Sequence, residues 1–105
     1  MNTTFDVDAV LVETGGNLPA GAVTEARERL AALARFTSRP ILAARVRLVY
    51  SLKPAPEDRC AARAMLDVNG HPLHAHAVAA TMQGAIAEIQ DRLRVELGRL
   101  RKRTH

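Results

Sequence analysis

Residues 60–78 read CAARAMLDVNGHPLHAHAV, and the pair at their centre decides the fold. Asn69-Gly70 is a two-residue turn in which both positions suit a positive φ, as the tight hairpins that match strand twist require. It predicts one strand over Cys60–Val68, another over His71–Val78, and antiparallel pairing between them.

Outward toward the C-terminus, Thr81 to Arg103 reads TMQGAIAEIQDRLRVELGRLRKR. Met82, Ile86, Ile89, Leu93, Leu97 and Leu100 recur at steps of three and four, which predicts one amphipathic helix with a single buried stripe. Thr81 is suited to cap it. Gly98 weakens its end by up to about 1 kcal/mol relative to Ala, which predicts a frayed basic tip.

Outward toward the N-terminus, Lys53-Pro54-Ala55-Pro56-Glu57-Asp58 is a loop, because two prolines cannot donate to a ladder. Ile41 to Leu52 reads as a strand with Ala44, Val46 and Leu48 on one face and Arg45 and Arg47 on the other. Ser38-Arg39-Pro40 breaks a helix that begins near Pro19 and runs to about Phe36, with Val23, Ala26, Leu30 and Leu33 at helical spacing. Phe5 to Val12 alternates apolar with polar residues and predicts the first strand, closed by the turn Gly15-Gly16-Asn17.

The order is therefore β-α-β-β-β-α, an α+β fold. The first two strands join by a right-handed crossover and run parallel. Strands two, three and four form an antiparallel meander. Each helix has one apolar stripe and the chain has one core, so both helices cover one face of a four-stranded mixed sheet and leave the other open. This register assigns Asp6, Asp8, Val10, Arg45, Arg47, Arg63, Met65, His74 and His76 to the open face.

Composition narrows the function. The length of 105 residues fits one domain, and 48% hydrophobic residues suffice for a core. Only 3% are aromatic, so a surface tiled with base-stacking aromatics is not expected. Net charge is +4, carried almost wholly by arginine, which suits bidentate phosphate contacts. The single cysteine, Cys60, excludes a disulfide framework within the chain and any cysteine-based metal motif; it reads as an inert, half-buried strand residue. No basic leader and no apolar run of membrane-spanning length is present, so a cytoplasmic setting is expected. No nucleophile–base–acid set, phosphate loop or cofactor motif occurs, so neither catalysis nor a cofactor is expected.

What the composition leaves is the charge on the last helix. Arg92, Arg94, Arg99, Arg101, Lys102 and Arg103 surround the apolar stripe, and Glu96 is the only acid after Asp91. Such a helix docks by one face and offers the others to a phosphate backbone. The competing reading is that cations at a helix C-terminus complement the macrodipole.

The sequence also resembles the ribosome hibernation promoting factor family, known too as the sigma-54 modulation or ribosome-associated inhibitor family. Arg29-Leu30-Ala31-Ala32-Leu33 is similar to the family's K-L-x-K-L, and Ala44-Arg45-Val46-Arg47-Leu48 to A-x-V-x-L. Met82-Gln83-Gly84-Ala85-Ile86, Asp91-Arg92-Leu93 and Leu97 with its basic tail match the family's last helix without a gap. Leu66-Asp67-Val68-Asn69-Gly70 and Ala77 to Thr81 look like actinobacterial members. Three positions depart: Val78-Ala79-Ala80-Thr81 replaces an acidic run, Gln83 an aromatic, and Gly98 a basic residue.

The resemblance implies a translation inhibitor that binds rRNA in the mRNA and tRNA channel of the small ribosomal subunit. DNA and membranes are not implied. It carries over Arg92, Arg99, Arg101 and Arg103 by position. Arg94 and Lys102 join them by charge, with Arg27, Arg29 and Arg35 on the first helix and Arg45, Arg47 and Arg63 on the open sheet face as further candidates. It also implies that this stretch, 1–105, is the first domain of a longer protein or a short stand-alone member.

Two other classes stay open from sequence. A homodimer or protein-interaction module, of the sigma-factor modulation type, would use Val10, Met65 and Val49 on the open face or an edge strand. A metal site would use His74 and His76, two residues apart on one strand face, with His71 nearby. No third ligand is placed beside them by sequence unless Asp6 or Asp8 lies across the sheet, and no metal is expected.

Overall fold

The computed structural model describes residues 5–103, the side chain of Arg103 excepted. Its elements are β1 (Val10–Gly15), α1 (Ala22–Ala31), β2 (Ile41–Tyr50), β3 (Cys60–Val68), β4 (His71–Ala79) and α2 (Met82–Arg103). Short 3-10 turns occupy Val7–Ala9, Ala32–Phe36 and Pro56–Asp58. The sheet order is β1-β2-β3-β4, with β1 parallel to β2 and the other pairs antiparallel. The expected α+β architecture is thus the observed one.

The hairpin forms as its turn chemistry requires. Asn69 and Gly70 have φ of 53° and 90°. The Asp67 carboxylate accepts from the Gly70 backbone N–H at 2.9 Å, fixing the turn. From there the ladder holds register to Cys60 opposite Ala79.

Alternation then builds one apolar face. Ala62, Ala64, Leu66 and Val68 of β3, and Leu73, Ala75 and Ala77 of β4, join Ala44, Val46 and Leu48 of β2 in the core. All six residues of the α2 stripe are buried against this face, together with Ala85. α1 contributes Ala22, Ala26 and Leu30, and the 3-10 turn that continues it contributes Leu33. Small alanines on the strands let the larger leucines and isoleucines of the helices approach the sheet closely. The Thr81 hydroxyl accepts from the Gly84 N–H at 3.0 Å and caps α2. Helical geometry persists through Gly98 to Arg103. The start of α1 differs from the expected proline-led turn: Gly21, at φ 84°, is its N-cap.

The N-terminal strand is where the sequence reading is corrected. In place of the expected strand over Phe5–Val12 there is a 3-10 turn at Val7–Ala9 followed by β1, which starts five residues later and ends three residues later than expected. Asp6 caps the turn, its carboxylate accepting from the Asp8 N–H at 3.5 Å. Short acidic side chains that bond their own backbone compete with strand geometry. The turn shifts the alternation by one residue, which exchanges the faces. Val10 is fully buried in the core, not on the open face. Asp6 and Asp8 lie before the sheet, and Leu11 and Glu13 take the open-face positions opposite Arg45 and Arg47. β2 also ends at Tyr50, earlier than Leu52, where the Ser51 N–H turns to the Arg59 carbonyl at 3.0 Å.

Candidate nucleic-acid interface

α2 fixes its cations by fixing its stripe. With every stripe residue in the core, Arg92, Arg94, Arg99, Arg101 and Lys102 are all exposed. They are not equivalent. Arg92 reaches across the edge of the sheet, donating to the His76 carbonyl of β4 and to the Glu88 carboxylate one turn earlier. Arg99 donates to Glu96 at 2.9 Å. Arg94 places its guanidinium over the Phe36 ring, 5.5 Å from the centroid. No ion pair to Arg94, Arg101 or Lys102 forms among the described residues. Among its described side chains the helix carries two arginines engaged by acids and three cations without an acid partner. Arg103 closes the helix, and its side chain lies outside the described residues.

Arg94 and Arg101 line a groove. The 3-10 turn at Ala32–Phe36 packs beside the C-terminal half of α2 and ends before the break at Pro40. A concavity of about 470 Å³ opens there, lined by Arg35, Phe36, Thr37 and Ser38 on one side and Arg94, Gly98 and Arg101 on the other. Arg35, exposed and free of acid partners among the described residues, thus shares a surface with Arg94 and Arg101. Phe36 escaped the sequence reading as a site residue. In the sequence it marks only the end of the first helix; in the structure it is 39% exposed.

The other arginines of α1 are more constrained. Arg29 donates to Glu25 at 3.0 Å and to Gln90 of α2 at 2.8 Å. Arg27 is half-buried, and its Nε has no hydrogen-bond partner among the described residues.

The open sheet face forms a second cationic surface. Arg45 aligns with Met65 and His74, and Arg47 with Arg63 and His76, in two rows across β2, β3 and β4. Glu13 approaches Arg47 at 3.6 Å and offsets part of this charge. His74 and His76 do share this face, both exposed. With Asp6 and Asp8 off the sheet, the third ligand they would have supplied is missing. Among the described residues no group of three His, Cys, Asp or Glu is placed to hold a metal. His71 sits beside the hairpin turn, opposite Val68, with the alternation of the other face. Cys60 is buried more deeply than expected; its thiol donates weakly to the Ala80 carbonyl at 3.6 Å, and burial pushes its pKa up. No helix among the described residues is long and apolar enough to cross a membrane.

This arrangement of elements occurs in known structures. Its fold is similar to that of the Thermus thermophilus Protein Y N-terminal domain. The two share 24% identity, with 87% of this chain and 97% of that one covered, at a TM-score of 0.69. A ribosomal subunit interface protein from Coxiella burnetii matches at 15% identity over 89% of this chain and 97% of that one, with a TM-score of 0.63. No protein-family model matches the chain, and no curated protein does.

Proposed function

We propose that this chain is a ribosome-binding translation inhibitor of the hibernation promoting factor family, acting in the cytoplasm. It docks on rRNA in the mRNA and tRNA channel of the small subunit. One observation carries the reading: Arg94 and Arg101 of α2 and Arg35 after α1, none of them in an ion pair among the described residues, line one groove of the scaffold, with Lys102 exposed beside Arg101 in the chain. That scaffold is shared with a ribosomal subunit interface protein. Guanidinium groups in such an array displace condensed counterions and bind phosphates without sequence preference. Arg92, Arg99, Arg103, Arg27 and Arg29 are secondary, and Arg45, Arg47 and Arg63 form a flank that engages a further RNA segment.

The charge of the open face argues against the protein-interaction alternative at that surface. A second copy seated there would set arginines against their like, and like-charge juxtaposition is costly. Cosedimentation with purified small subunits at two salt concentrations tests the proposal, and light scattering with and without RNA tests the alternative.

A further inference from the structure

We propose that the groove between Phe36 and Gly98 holds one unpaired nucleotide of an RNA strand. Its base stacks on the Phe36–Arg94 pair and its phosphates lie against Arg35 and Arg101. The inference deepens the ribosome-binding reading, and rests on it, by adding a contact that sees the base as well as the charge.

Three features of the groove point this way. First, an exposed aromatic ring in a chain with only 3% aromatic residues sits among three arginines. Phosphate binding alone does not require a ring there. Second, the Arg94 guanidinium already lies over that ring, so a planar cation and an aromatic form one stacking surface. Bases stack on both groups, and every base has a π-face, so the contact tolerates any sequence. Third, Gly98 of α2 lines the groove. A Cβ at Gly98 would meet no atom within 4 Å, so the space above that turn is open. The concavity, about 470 Å³, is open to solvent, so a base can enter from the surface. A base inside a duplex is stacked on both sides and cannot enter, so the ligand is single-stranded. The Thr37 hydroxyl accepts from the Arg39 N–H at 3.0 Å and holds the wall of the groove.

The test compares two fluorescent probes at low salt. One is a single-stranded RNA hexamer. The other is a hexamer of abasic phosphodiester units with the same charge. The expected result is that the native chain binds the RNA hexamer about 5- to 150-fold more tightly, the worth of one stacked base. Gly98→Met fills the groove and improves helix propensity, so its Tm should equal or exceed that of the parent. It should bring the two affinities within about twofold of each other. Phe36→Leu should do the same. Equal affinity of the native chain for both probes, or failure to bind either, overturns the proposal. So does a base preference that survives both substitutions. Cosedimentation with small subunits, run in parallel, separates the two readings. Intact cosedimentation without base preference refutes the groove alone; base preference without cosedimentation refutes the ribosome.

Discussion

Arg29 and Gln90 clasp each other across the helix interface. Arg29 Nη1 donates to Gln90 Oε1 at 2.8 Å, and Gln90 Nε2 donates back to the Arg29 carbonyl at 3.0 Å. The exchange ties the last turn of α1 to the middle of α2 through groups that are part-buried. It explains why an arginine that sequence places among candidate RNA contacts also serves the fold. Gln90→Ala removes both bonds and should cost roughly 1–2 kcal/mol in urea unfolding. Gln90→Glu restores an acceptor for Arg29 and should recover part of that loss.

Gly16 follows β1 at φ 79°, and a Cβ there would stand 2.2 Å from the Tyr50 carbonyl oxygen. The chain must pass close to the end of β2 before entering α1. Gly16→Ala should therefore destabilise by at least about 2 kcal/mol, from strain and backbone collision together. Gly70→Ala, at φ 90° but with no neighbouring atom within 4 Å, should cost less. Thermal unfolding of the two variants checks the order.

Arg47 and Arg63 are directly opposite on the open sheet face. Like charges so placed oppose folding. Arg63→Gln should leave stability unchanged or raise it by up to about 0.5 kcal/mol at low salt, a gain that screening removes at 1 M salt. The same substitution should lower affinity for small subunits modestly, because the open face is a flank of the proposed interface. A fall in stability would show that Arg63 has a structural partner.

The Cys60 thiol is held neutral by burial. Native protein should therefore react slowly with a thiol reagent at neutral pH and rapidly once unfolded in urea. The sign of the pH effect follows from the raised pKa. Below the unfolded thiol's pKa both states hold the proton and stability is unaffected. Above it the unfolded state loses its proton first, so stability falls through the alkaline range. Cys60→Ala should abolish that part of the alkaline fall.

Much of this fold is written locally. Asn69-Gly70 sets the hairpin, and the steps from Met82 to Leu100 set α2, because turn chemistry and helical period are short-range properties. The first strand was legible only in part. Its alternation from Phe5 looks continuous, and nothing in the pattern reveals that Asp6 caps a turn and inverts the faces, burying Val10. The cations of α2 were legible as a class but not by role. Arg92 meets the His76 carbonyl, and Arg94 meets Phe36, across long stretches of chain that only packing brings together. For the same reason the groove had no signal. Phe36 marks only the end of a helix in the sequence, and Gly98 reads as a weak point in a helix when it also borders an open space.

The most direct measurement is cosedimentation of Arg94→Gln/Arg101→Gln/Lys102→Gln with small ribosomal subunits across a salt series. The native chain should pellet with subunits at low salt and release as salt rises. The triple variant, folded by circular dichroism, should lose at least tenfold in affinity, and its log–log salt slope should be shallower by about two to three units. A variant that occupies subunits as fully as the native chain, with the same slope, would contradict a phosphate-binding role for these three cations.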